Sequence, residues 1–119
     1  MKKMMLDTSA YAAFRKGHSE AIAQIQRAHS IMIPATVYGE LLGGFEWGTR
    51  RDKNLTELNS FMQSLRVKAI PINLDTAQRY AVIYAFLRAS GNPIPTNDLW
   101  IAASAMEHSA TLLTLDKHF

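Results

Sequence analysis

The 119-residue chain contains no cysteine. Disulfide bridges, thiolate metal sites and a cysteine nucleophile are therefore excluded, although compartment is only weakly indicated by that absence. No apolar stretch approaches the ~18 residues that a membrane span requires. The chain also runs directly into Met4-Met5-Leu6-Asp7 without a secretory hydrophobic region, so a cytoplasmic protein with no membrane partner is the expectation. Glycine and proline, six and four residues, are too scarce for a fibre or a disordered tail. Phosphate-loop, zincin, nucleophile-elbow and dinucleotide-binding signatures are all missing. His18, His29, His108 and His118 are scattered without metal-ligand spacing and read as surface or structural residues. After Asp7 comes Thr8-Ser9, without the second aspartate that an aspartyl-phosphate enzyme or a receiver-like domain would carry.

What is present is an ordinary globular composition, 48% hydrophobic and 19% charged, in a length suited to one domain. Short apolar runs alternate with longer segments of helical period, which is the α/β pattern. Strands are expected at Met4-Met5-Leu6, Ile31-Met32-Ile33, Val67 to Ile72 and Thr111 to Leu115. Helices are expected between them. One runs from Ser9 to Lys16, closed by Gly17, and another is capped by Ser19. A third is opened by Pro34 and Thr36, and after a basic connection, Arg50-Arg51-Asp52-Lys53, a fourth spans Asn54 to Leu65. The longest is capped by Asp75, with an apolar stripe of Ala77, Tyr80, Ala81, Tyr84 and Leu87, and ends at Gly91. The last follows Thr96, from Asn97 to about His108.

Against this frame four carboxylates stand out. Asp7 and Asp116 each end an apolar run, at the strand ends where open α/β sheets bind ligands. Asp98 falls in the first turn of a helix, where the dipole favours a negative charge, and such a position alone needs no further role. Glu40 lies about one turn into a helix among Val37, Leu41 and Leu42, where an unpaired carboxylate is costly and a cation would remove the cost. The set reads as a metal site. If all four acids serve one pocket, the six that remain face thirteen Lys and Arg. That excess of seven positive charges suits a polyanionic substrate, and equally a plain basic surface. Arg15-Lys16 and Arg50-Arg51 with Lys53 could bind phosphates or could be solvated helix ends, and Trp100 reads as core or dimer surface.

Four motifs, Leu6-Asp7-Thr8-Ser9, Tyr38-Gly39-Glu40-Leu41, Ile94-Pro95-Thr96-Asn97-Asp98-Leu99-Trp100-Ile101-Ala102-Ala103 and Leu113-Thr114-Leu115-Asp116-Lys117-His118-Phe119, give the chain a resemblance to the PIN domain family. Within it, the chain resembles the small stand-alone ribonucleases that serve as VapC toxins of type II toxin–antitoxin pairs. The resemblance implies a single PIN domain over residues 1–119, a three-layer α/β/α sandwich around a central parallel sheet of four to five strands. It also implies cleavage of RNA dependent on Mg²⁺ or Mn²⁺, a homodimer and a cognate antitoxin. Asp7, Glu40, Asp98 and Asp116 match the family's acidic quartet, and Ser9 and Thr114 match small hydroxyl positions that would hydrogen-bond the carboxylates. The chain stops at Phe119, where such toxins usually continue into another short strand.

Hard oxygen ligands suit Mg²⁺ and Mn²⁺, which usually keep several waters beside one or two carboxylates. Asp7 and Asp98 are the expected principal ligands, Asp116 a direct or water-mediated one, and Glu40 the residue that positions or deprotonates water. The competing expectation is a PIN-like binding module whose acids hold a structural cation. Its weakness is that four mutually repelling carboxylates have little reason to persist without catalytic duty.

Overall fold

The computed structural model describes residues 2–116. Four strands form one sheet: β1 (Lys3–Leu6), β2 (Ser30–Pro34), β3 (Val67–Ile70) and β4 (Thr111–Leu113). Every pairing is parallel, and the spatial order is β3-β2-β1-β4. Parallel neighbours require crossover connections, and here each is helical. Helices α1 (Thr8–Arg15) and α2 (Ser19–Arg27) join β1 to β2, while α3 (Ala35–Trp47) and α4 (Arg51–Met62) join β2 to β3. Helices α5 (Leu74–Ser90) and α6 (Thr96–Glu107) then return the chain across the sheet to β4. The strand order therefore reverses between β1 and β4, and at such a switch point the two carboxyl ends border a crevice.

Side-chain alternation along the strands separates the layers. Met4, Leu6, Ile31, Ile33 and Val67 share one cluster with Tyr11, Ile25, Val37, Leu41 and Leu58 from the first four helices. Met5, Met32 and Ile70 enter a second cluster with Ala105 of α6. The sandwich is thus the three-layer one that the sequence suggested, with four strands among the described residues. Fully burying Leu6, Ile31, Ile33 and Leu58, each at 0% exposure, stabilises the fold by roughly 1.5–3 kcal/mol per side chain.

Several local expectations are corrected. His18, not Ser19, caps α2, its Nδ1 accepting from the Ala21 amide at 3.2 Å. The basic stretch expected as a connection is mostly the first turn of α4, which begins at Arg51. Asn73, not Asp75, caps α5, accepting from the Thr76 amide at 3.1 Å, while Thr76 returns a hydroxyl acceptor to the Asn73 amide at 3.2 Å. Thr96 is the first residue of α6 and makes no side-chain cap, the N-cap position being taken by Pro95. Strands β3 and β4 stop two residues early, at Ile70 and Leu113. The larger departure is α5, of whose apolar stripe Ala77, Tyr80 and Leu87 are half-buried and Ala81 and Tyr84 exposed: among its residues only Thr76 is buried. Gly91 does end it in the left-handed region, at φ 73°. Among the described residues no helix is long and apolar enough to cross a membrane. Lys117, His118 and Phe119, on which the expectation of a missing carboxyl-terminal strand bears, lie outside those residues.

Candidate active site at the carboxyl ends of β1 and β4

Asp7 follows directly on β1 and is the N-cap of α1. Its carboxylate is 3% exposed, and a buried charge is tolerated only when its lone pairs are satisfied. Oδ1 accepts from the Ala10 amide at 2.8 Å and from the Ser9 hydroxyl at 2.7 Å. Oδ2 accepts from the Thr114 hydroxyl. Both hydroxyls are themselves oriented by the end of β4: Ser9 Oγ accepts from the Leu115 amide and Thr114 Oγ1 from the Asp116 amide, each at 2.9 Å. Because each hydroxyl has one proton, receiving a backbone N–H leaves that proton for Asp7. The two-residue spacings Asp7–Ser9 and Thr114–Asp116 thus knit the carboxyl ends of β1 and β4 into one polar cluster.

Glu40 forms the second half of the site. The pattern leaves it among apolar neighbours on α3, yet it is not stranded there. Thr8 donates to its Oε1 at 2.6 Å, and the Asn97 amide group to its Oε2 at 3.2 Å. Glu40 therefore spans from the start of α1 to the start of α6. Thr8 and Asn97 are the residues that sequence reasoning left without a role. The signal was present, since each stands next to a predicted acid, but only the fold shows that they aim at a third one. Asp98 lies beside Asn97 in the first turn of α6, and Asp116 follows the two residues that bind Ser9 and Asp7. Both are partly buried, and both have interactions of their own.

Among the described residues no three His, Asp or Glu side chains come together closely enough to hold an ion. The expected convergence of the quartet on a single point is thus not drawn. The donor chemistry still fits a hard divalent ion, because Asp7 Oδ2 carries one hydrogen bond and retains a second lone pair. Magnesium needs no more than one or two carboxylates when water and a phosphate complete its shell.

The basic residues divide. Arg15, Lys16, Arg50 and Lys53 line one cleft of about 350 Å³ with Tyr11 and Glu57. Arg15 is held there, its guanidinium 5.3–6.0 Å from the ring centres of Phe14, Tyr11 and Phe61 and its Nε donating to the Tyr11 hydroxyl at 3.1 Å. Burial pushes the Tyr11 phenol above its ordinary pKa, with Arg15 opposing. Arg51 lies outside this cleft, paired with Glu46 at 2.6 Å and Asp52 at 3.1 Å. Trp100 stacks on Tyr80 with ring centres 4.2 Å apart, joining α6 to α5.

The family model described as "PIN domain" matches residues 4–119. Ribonuclease VapC5 of Mycobacterium tuberculosis is 28% identical over 117 residues, covering 97% of this chain and 84% of that protein. Among solved structures, VapBC2 from Rickettsia felis, bound to a DNA fragment from its promoter, superposes with a TM-score of 0.83 at 25% identity. That match covers 96% of this chain and 88% of the other. VapBC-5 from Mycobacterium tuberculosis, a member of the VapBC family of toxin–antitoxin systems, gives a TM-score of 0.78 at 26% identity, over 100% and 89% of the two chains.

Proposed function

This chain belongs to the PIN domain family, and from that premise we propose that it is a metal-dependent endoribonuclease, the toxin of a type II toxin–antitoxin pair. It hydrolyses RNA phosphodiester bonds, acts in the cytoplasm as a homodimer, and is restrained by a cognate antitoxin. The observation that carries this reading is the polar cluster at the switch point, where Asp7, held by Ser9 and Thr114, adjoins Glu40, held by Thr8 and Asn97.

Asp7 and Asp98 would hold a Mg²⁺ or Mn²⁺ ion, with Asp116 reaching it through water. When bound, that ion supplies charge stabilisation for a phosphate and a lowered pKa for a bound water. The chain's own residues do the positioning. Ser9 and Thr114 fix the orientation of the Asp7 carboxylate, so that its remaining lone pair keeps one direction. Glu40, oriented from two sides, holds the attacking water or takes its proton, and Asn97 keeps the Glu40 carboxylate aimed. The RNA backbone follows the basic cleft of Arg15, Lys16 and Arg50, with Arg51 contributing only at longer range.

The test is cleavage of total cellular RNA by purified protein, with Mg²⁺ or Mn²⁺ against excess EDTA and with Asp98→Asn in parallel. Metal-dependent cleavage that the variant lacks, by a factor of about 10² or more, supports the reading. Equal cleavage by the variant would overturn the assignment of Asp98. No cleavage by the folded, antitoxin-free protein would return the chain to a binding module.

A further inference from the structure

Strand β3 is an edge. It pairs with β2 on one side, no described strand pairs with it on the other, and Lys68 and Ala69 are exposed in its middle. Two concavities share this edge. At its amino-terminal end Lys3, Arg66 and Lys68 line a pocket of about 540 Å³ with His29, Ser30 and Leu65, and no carboxylate lies in that lining among the described residues. Parallel register brings these bases together, since Lys3 pairs with Ser30 and Lys68 with Met32. Arg66 is fixed in place by donating Nη1 to the carbonyls of Ala28, at 2.5 Å, and Ile25, at 3.2 Å. At the carboxyl-terminal end Tyr38, Gly39, Met62, Ile70 and Pro71 line a largely apolar pocket of about 440 Å³. Gly39 is the neighbour of Glu40, so the second pocket adjoins the candidate site.

We propose that the open edge of β3 is the path of a single-stranded flank of the RNA substrate, its phosphates on Lys3, Arg66 and Lys68 and one unstacked base in the pocket beside Tyr38 and Gly39. The inference rests on the ribonuclease reading and deepens it. Positive charge without a compensating carboxylate matches a phosphate chain. An aromatic, apolar recess matches a base, whose π-face stacks whatever its identity. From Lys68 to Pro71 the edge advances three residues, roughly 10 Å at strand rise, so one short stretch of backbone reaches both. The recess is open at Gly39, where a Cβ would meet no atom within 4 Å.

The probe is a fluorescein-labelled single-stranded RNA of roughly 16 nucleotides, titrated in EDTA so that binding is read without cleavage. The full chain is compared with Lys3→Ala/Lys68→Ala, Gly39→Leu and Gly39→Ala. The lysine pair should weaken binding about tenfold and make the slope of log affinity against log salt shallower by about 1.4, at ~0.7 per phosphate contact on a single strand. Gly39→Leu fills the recess and should weaken binding with the salt slope unchanged, whereas Gly39→Ala should bind as the parent does. Parental affinity and slope in the lysine pair and in Gly39→Leu would overturn the path. Tighter binding of duplex DNA, lost in the same variants, would overturn RNA as the occupant. Failure of cleavage in the parent with Mg²⁺ would sink the nuclease reading while leaving this binding result to stand or fall by itself.

Discussion

Asp7 is where local and distant sequence meet. Three donors saturate most of its carboxylate, two from the turn that follows it and one from Thr114, 107 positions away. Thr114→Val keeps the shape of the side chain but removes both the proton given to Asp7 and the acceptor used by the Asp116 amide. Loss of a hydrogen bond to a buried charge costs roughly 1.5–3 kcal/mol. Urea unfolding should show that loss, with Thr114→Ser recovering most of it; equal midpoints for parent and valine variant would show that the bond contributes nothing. Tyr11 gives a pH-dependent counterpart. Its phenol is raised by burial, so the folded state favours the neutral form. The stability this contributes is complete below the unfolded value of about 10 and is lost as pH rises through the higher folded value. Parent stability should therefore fall more steeply than that of Tyr11→Phe once pH passes about 10, as read by denaturant midpoints at matched pH. Parallel curves would dismiss the linkage.

Two glycines separate what an element needs from what its sequence merely permits. Gly91 closes α5 at φ 73°, a conformation that costs an L-residue roughly 1–2 kcal/mol. Gly39 sits inside α3 with open space around it, so alanine there should gain up to about 1 kcal/mol through helix propensity. Thermal unfolding of Gly91→Ala and Gly39→Ala should thus shift in opposite directions. A shift of the same sign would mean that the αL cap or the open space has been misjudged. The same scale explains the edge of β3. Its pattern, buried at Val67 and Ile70 and exposed at Lys68 and Ala69, arises where a strand ends a sheet and one flank faces water. Pro71 lies just past its end, and Lys68 guards its middle, devices that keep an open edge from pairing with another chain.

For the molecule as a whole the unspent feature is α5. Leu74 is 83% exposed, Phe86 69% and Val82 63%, on a helix that is joined to α6 by the Tyr80–Trp100 stack. Leu74, Val82 and Phe86 stand at i, i+8 and i+12, on one side of the helix, with Gln78 between the first two. The proposed homodimer would cover that side. Phe86→Asp should then convert a dimer to a monomer in light scattering behind size exclusion, with far-UV circular dichroism unchanged. A variant that keeps the parent's mass would remove α5 from the interface.

The sequence by itself determined the α/β alternation, the positions of the four strands to within two residues, the glycine that closes α5, and the segments that supply the candidate site. Those features are written in short apolar runs, in period 3.6 and in single residues with restricted backbone freedom, all of which act over a few positions. Tertiary structure decided the rest. That Glu40 is satisfied by Thr8 and Asn97, that Arg15 and Arg50 share a cleft while Arg51 does not, and that α5 shows apolar side chains to solvent are not local properties. They depend on the order β3-β2-β1-β4, because the return crossover brings β4 beside β1 and α6 beside α3. No periodicity within either element encodes which neighbour it will meet. Even the caps at His18 and Asn73 were settled by where the preceding chain turns, since several polar residues could accept the same amide and only one reaches it.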